Sequence, residues 1–214
     1  MRARLALAVS ASPCELREVV LKDKPAELLA VSAKATVPVL VLASGEVIDQ
    51  SLDIMRWALA QHDPAHWLPD TTQAAGVNAL INDCDQRFKH HLDRYKYPGR
   101  FAHKDTTKNP ASAVGQHRSH AAQWLAELEL RLQKSPCLFG QTAGLADMAI
   151  APFVRQFAQT DLAWFEAQDW PHLDSWLKDI LSSELFARVM HKYPAWQPGA
   201  TALIFPSPTN PRSD

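Results

Sequence analysis

The Val37-Pro38 bond and its flanks constrain the fold of this chain more than any other stretch. Thr36-Val37-Pro38-Val39-Leu40 enters a β-branched run through a proline, and Ile48-Asp49-Gln50-Ser51 follows just beyond Ala43-Ser44-Gly45. Proline gives no N–H to a ladder, so in sheets it is confined to edge strands, strand starts and bulges. Taken alone, Pro38 fits a trans edge proline, since only about 5–6% of X-Pro bonds in folded proteins are cis. Its surroundings point elsewhere. Residues 1–10 read as the last turns of an Ala- and Leu-rich helix, and Glu15–Leu21 alternates as a short strand. Pro25 suits the first position of a helix over Pro25–Ala33. Val37–Leu42 and Glu46–Ile48 pair as a hairpin, and a further helix starts near Ser51.

That order is how a thioredoxin-like half-domain reads, and it predicts a cis Val37-Pro38 bond that turns the backbone of Val37 towards a bound thiol. A helix starting at Gln50-Ser51 offers unsatisfied N–H groups and the positive end of its dipole to a carboxylate. Ser51 also reads simply as an N-cap, and the two readings are compatible. Residues 63–70 are Pro-rich and polar, as a linker is. Beyond them the pattern is helical. Val77, Ile81, Cys84, Phe88, Leu92 and Tyr95 recur every three or four residues, and His117, Ala121, Trp124, Leu128 and Leu132 repeat the rhythm. Further helices are expected over Leu145–Ala158 and around Leu173–Leu181, and the Pro-rich end is expected to be extended or frayed. The predicted organisation is an α/β domain over 1–64, a linker over 65–75, an all-helical domain over 76–205 and a tail over 206–214.

Composition excludes several classes. The 214 residues carry 22 basic and 23 acidic side chains, which leaves no electrostatic case for nucleic acid or an anionic membrane. No apolar run approaches the roughly 18 residues that span a bilayer. Leu5-Ala6-Leu7-Ala8-Val9 is shorter than the roughly 7–15 residues of a secretory signal, so a helix fragment fits better. Cys14, Cys84 and Cys137 are odd in number and widely spaced, as reduced cytoplasmic thiols are. Lys89-His90-His91 tempts a metal reading, but adjacent residues on a helix point about 100° apart, and a solvated basic face is the expectation there. No metal is expected. Tyr95, Tyr97, Trp124, Phe153 and Phe157 could line an apolar cleft or belong to the core.

Lys24-Pro25, Thr36–Leu40 and Asp49-Gln50-Ser51 resemble the amino-terminal domain of cytosolic glutathione S-transferases, and Gly140 with Gly144-Leu145-Ala146-Asp147 resembles their carboxy-terminal domain. The Asp23-Lys24-Pro25-Ala26-Glu27-Leu28-Leu29 run is most similar to omega-like and related bacterial branches, which use an active-site cysteine. The resemblance implies a thioredoxin-like domain followed by a helical bundle, glutathione as co-substrate, an electrophile or disulfide as second substrate, and a cytoplasmic homodimer. It implies that Val37 meets the cysteinyl backbone of glutathione after the turn at Pro38, that Gln50 and Ser51 hold the γ-glutamyl group, and that Lys24 reaches the glycyl carboxylate. Asp147 would be the acidic half of a helix-capping box, with Gly144 in the place of the usual Ser or Thr.

The same resemblance places a catalytic Cys, Ser or Tyr well before Pro38. Cys14 lies 24 residues before it, too few for the rest of a first helix and a second strand. Aligned backwards from Pro38, Met1 falls inside the first helix, and no residue of the chain is assigned as catalytic. The expectation is a natural start upstream, carrying the first strand and a nucleophile suited to thiol transfer, reduction or conjugation. A non-catalytic protein that keeps only the fold is the rival.

Overall fold

The structure, a computed structural model, describes residues 1–101 and 110–207. In chain order, α1 (Arg2–Val9), β1 (Cys14–Glu15), α2 (Ala26–Val31), β2 (Leu40–Val41), β3 (Val47–Ile48) and α3 (Ser51–Gln61) come first. Then follow α4 (Ala74–Asp83), a π-helical turn (Cys84–Phe88), α5 (Lys89–Lys96), α6 (Pro98–Phe101), α7 (Pro110–Leu132), α8 (Leu145–Ala158), α9 (Leu162–Glu166), α10 (Pro171–Ser182), α11 (Glu184–Val189) and β4 (Ile204–Phe205). The chain divides into two compact units, Met1–Leu68 together with the segment from Ser183 onward, and Pro69–Ser182.

In the first unit α1 buries Leu5, Ala6 and Leu7, and packs against α3, which buries Ile54, Met55, Ala58 and Leu59. The small Ala side chains let the two helices approach, and this pairing fixes where α3 begins. The hairpin registers Leu40 against Ile48 and Val41 against Val47. The turn closes through Gly45, whose φ of 87° is the left-handed geometry that glycine adopts without a Cβ penalty.

Two expectations need correction here. The alternating stretch Glu15–Leu21 forms a strand only over Cys14–Glu15, and Val20 and Leu21 are exposed. The carboxy-terminal segment, expected to be extended or frayed, is extended at Ile204–Phe205, but it does not group with the helical domain. Residues from Ser183 onward belong to the first unit, where α11 packs on α1 and β4 pairs antiparallel with β1, Cys14 opposite Phe205. Backbone bonds continue beyond Glu15: the Leu16 N–H donates to the Leu203 carbonyl at 2.7 Å, and the Trp196 N–H to the Glu18 carbonyl at 2.8 Å. A strand edge is a row of unmet donors and acceptors, and residues 196–205 satisfy this one. Phe205 is 1% exposed beneath Tyr193, and Arg17 lies over the Trp196 ring at 4.7 Å. The β1–β4 pair and the β2–β3 hairpin are separate two-stranded sheets. Around the hairpin much apolar surface stays open: α2 buries none of its residues, and Leu29, Val37, Val41 and Val47 are exposed.

The second unit is helical. Val77, Ile81, Cys84, Phe88, Leu92 and Tyr95 are all buried, as their spacing predicts, although a π-helical turn interrupts the helix at Cys84–Phe88. Phe88 stacks on Trp124 at 4.7 Å between ring centroids and meets Phe157 at 5.9 Å, and Tyr95 meets Phe157 at 5.2 Å. Tyr95, Trp124 and Phe157 are thus core residues, while Tyr97 and Phe153 are half-buried. The Trp124 indole N–H donates to Asp83 at 2.6 Å.

Asp147, in the first turn of α8, is 1% exposed and accepts three hydrogen bonds. They come from the N–H groups of Gly144 and Leu138, both at 2.9 Å, and from the Trp176 indole at 2.8 Å. This is the acidic half of the expected capping box; Gly144, lacking a side chain, cannot return a bond. A second carboxylate, Glu129 of α7, caps α10 from outside, accepting from the N–H groups of Leu173 at 2.7 Å and His172 at 3.3 Å, and facing His172 Nδ1 at 2.7 Å. Burial pushes Glu129 up, but the Leu173 and His172 donors outweigh it and hold the carboxyl below the ordinary 4.5. A depressed folded-state pKa contributes stability that is fully present above the unfolded value and lost as pH falls through the folded one. Glu129→Gln is therefore expected to cost about 1–2 kcal/mol at pH 7. In urea melts across pH, its deficit against the wild type should shrink as pH falls below the ordinary 4.5 and through the folded pKa.

Candidate functional site

The antiparallel register that sets Leu40 against Ile48 carries Pro38 and Gln50 to the same end of the hairpin. Val37-Pro38 leads into β2 and Gln50-Ser51 leaves β3, so both flank that end of the hairpin. The Val37-Pro38 bond is cis, as read from the sequence. An ion pair of Lys34 with Asp49 at 3.0 Å ties the loop before β2 to the residue preceding Gln50. Both partners are partly exposed, so the pair positions the loop more than it stabilises it. Lys34 was not legible as a contributor; the acidic residue of the Asp49-Gln50-Ser51 run was the available signal.

At this end α3 is open. Gln50 is its N-cap, with extended backbone and no side-chain capping bond, and the Ile54 N–H closes the first turn on the Gln50 carbonyl at 2.9 Å. The N–H groups of Ser51, Leu52 and Asp53 precede that bond and have no intrahelical acceptor. Ser51 is half-buried beside them, while Gln50 is exposed. Four of the five expected site residues, Val37, Pro38, Gln50 and Ser51, flank the same end of the hairpin. Lys24 lies apart in sequence, half-buried after the Val20–Asp23 turn that leads to α2.

None of the three cysteines is an accessible, activated thiolate. Cys14 is half-buried at the β1–β4 pair, its thiol directed to the Phe205 carbonyl at 3.4 Å, and burial pushes its pKa up. Cys84 is fully buried. Burial, with Asp147 and Asp179 adding to it, pushes Cys137 up to about 11.

The second unit holds a cluster that the single-helix argument missed. His90 and His91 of α5 meet His117 and His120 of α7, with His91 Nδ1 and His117 Nδ1 2.9 Å apart. Burial, then repulsion from His90, His117, His120 and Arg94, pushes His91 down to about 4, so its ring is neutral at pH 7.

Residues 1–66 match the family model of the glutathione S-transferase N-terminal domain, and residues 79–179 match that of the glutathione S-transferase C-terminal domain. The chain belongs to the glutathione S-transferase family. Its fold is that of the family, a thioredoxin-like domain followed by a helical one. Poplar glutathione transferase F1 is similar at 17% identity over 88% of this chain and 89% of that one, with a TM-score of 0.73. Gtt2 of Saccharomyces cerevisiae is similar at 19% identity over 88% and 94%, with a TM-score of 0.68. A glutathione S-transferase domain-containing protein of Marinobacter aquaeolei is similar at 20% identity over 86% and 93%, also at 0.68. Identities this low speak for the shared fold. No curated protein sequence matches the chain significantly. No helix among the described residues is long and apolar enough to cross a membrane.

Proposed function

We propose that this chain binds glutathione at the hairpin end where the cis Val37-Pro38 bond meets the open amino terminus of α3. The observation that carries the reading is that open first turn, with no side chain capping it, at the expected γ-glutamyl position. A carboxylate seated there would accept from the N–H groups of Ser51 and Leu52 and from the Ser51 hydroxyl, next to the positive end of the helix dipole. Gln50 would hold the rest of the γ-glutamyl group, the backbone of Val37 the cysteinyl unit, and Lys24 the glycyl carboxylate. The bound peptide would serve a glutathione-dependent transfer, either thiol exchange with a disulfide or conjugation to an electrophile, in a cytoplasmic homodimer of the cysteine-type branch.

A second reading, a binding protein without catalysis, is favoured by one observation: none of the three thiols of the chain is poised to attack. Both readings require the cradle. A hydrogen bond to a charged group contributes about 1.5–3 kcal/mol, which is about 10- to 100-fold in affinity. Ser51→Ala is expected to weaken glutathione binding by that factor in calorimetric titration, with thermal stability nearly unchanged because Ser51 is not the N-cap. Unchanged affinity in Ser51→Ala, or no glutathione binding by the wild type, would refute the proposal. Thiol-transfer and conjugation assays on the same protein then separate the two readings.

A further inference from the structure

We propose that His90, His91 and His117 form a binding site for one divalent transition-metal ion, zinc by its coordination chemistry, joining α5 to α7. The three imidazoles each offer a ligand nitrogen, and these atoms all lie within 4.8 Å of one another. Two nitrogens on one tetrahedral zinc, with Zn–N bonds of about 2.0–2.1 Å, stand roughly 3.3 Å apart. The His91–His117 pair at 2.9 Å is already near that spacing. Small rotations of the rings bring all three to it. The objection that adjacent residues diverge on a helix holds for His90 and His91 as a bare pair. It fails once His117 arrives from the facing helix: its ring lies 5.1 Å from that of His91 and 6.1 Å from that of His90, and those two lie 4.9 Å from each other.

The surroundings suit a metal held by neutral imidazole. At 2.9 Å one of the two facing nitrogens carries a hydrogen and the other a lone pair. On binding, the donor ring moves its proton to the other ring nitrogen, so both facing lone pairs reach the metal without net proton loss. His120 stacks on His91 at 4.8 Å between centroids and 14° between planes, and its Nδ1 bonds the Gln116 carbonyl at 2.8 Å. That stack restrains the His91 ring, as a supporting residue restrains a ligand. The opposing group is Arg94, whose guanidinium donates to His90 Nδ1 at 3.1 Å and must give way. Lys89 is neutralised by Asp93 at 2.6 Å. Imidazole ligands select zinc, copper and nickel over magnesium or calcium. Three protein ligands leave a fourth position for water. The proposal departs from the sequence-based expectation of a metal-free basic face.

The test is titration of the untagged full chain with Zn2+ alone, followed by calorimetry, and with Co2+, followed by absorption. The expected result is one equivalent of Zn2+ per chain with micromolar or tighter affinity, and a tetrahedral Co2+ spectrum without thiolate charge transfer. His117→Ala and His91→Ala should each weaken Zn2+ at least tenfold. His90→Ala, at an exposed position that folding does not depend on, should do so as well. Absence of saturable Zn2+ binding, a Co2+ spectrum with thiolate bands, or affinity unchanged in His90→Ala would each overturn the proposal. Glutathione titration of the same protein is read separately, so the two sites stand or fall independently.

Discussion

Asp147→Ala is expected to lower the unfolding free energy by about 4 kcal/mol, which for a chain of this size moves the thermal midpoint down by about 10 °C. The carboxylate is buried and accepts from Gly144, Leu138 and the Trp176 indole. Removing it leaves three donors without partners, those of Leu138 and Trp176 buried and that of Gly144 partly so, each costing about 1–3 kcal/mol when water cannot replace the carboxylate. A domain holds only about 5–15 kcal/mol in total, so this one position governs whether α8 stays docked. Asp147→Asn separates geometry from charge. Burial of the charge pushes the carboxyl up, and the bonds from Gly144, Leu138 and Trp176 recover only part of that, so its pKa stays above the ordinary 3.8. A raised acid is favoured in the fold while protonated, and that advantage is lost as pH rises through its folded pKa. The amide avoids that loss and keeps one acceptor, so Asp147→Asn should cost less than half of what Asp147→Ala does. Urea and thermal melts of both variants at pH 7 check this; equal losses would assign the effect to the charged carboxylate with its two acceptors, since the amide keeps the shape.

What the sequence made legible were features that a short window decides. The helix expected over Leu145–Ala158 forms over those residues, because Gly144 and Asp147 mark its start and apolar periodicity its length. The cis Val37-Pro38 bond, the hairpin and the start of α3 were equally readable, since they fall within 15 residues, Val37 to Ser51. Failures came where partners are remote. Glu15–Leu21 looks like a strand by alternation, yet bonds to residues 196–205 hold it only as far as Glu18, so the reach of the partner and not local pattern set its extent. The π-helical turn at Cys84–Phe88 left no trace because 77, 81, 84, 88, 92 and 95 keep helical spacing through it. The approach of His117 to His91 left no trace in a reading of one helix, because that ring sits 26 residues away on another.

The carboxy-terminal strand is the sharpest of these cases, and Phe205→Ala is the variant that examines it. A frayed, Pro-rich tail predicts a change within about 0.5 kcal/mol, as for any exposed substitution. The structure predicts about 3–5 kcal/mol, the ordinary loss for removing a buried phenylalanine and leaving a cavity. Phe205 is 1% exposed, packs edge-on against Tyr193 at 6.3 Å, and belongs to the strand that covers β1. Ile204 is the internal control: it lies in the same strand but is 43% exposed, so Ile204→Ala should change stability by 0.5 kcal/mol or less. A large loss for Phe205→Ala with little for Ile204→Ala would place residues 196–205 among the structural elements of the first unit. Similar small effects from both would return them to the status of a tail. The contrast is informative because sequence separation, 191 residues between Cys14 and Phe205, makes this contact entropically expensive to close. Burial of the ring and satisfaction of the β1 edge are what offset it.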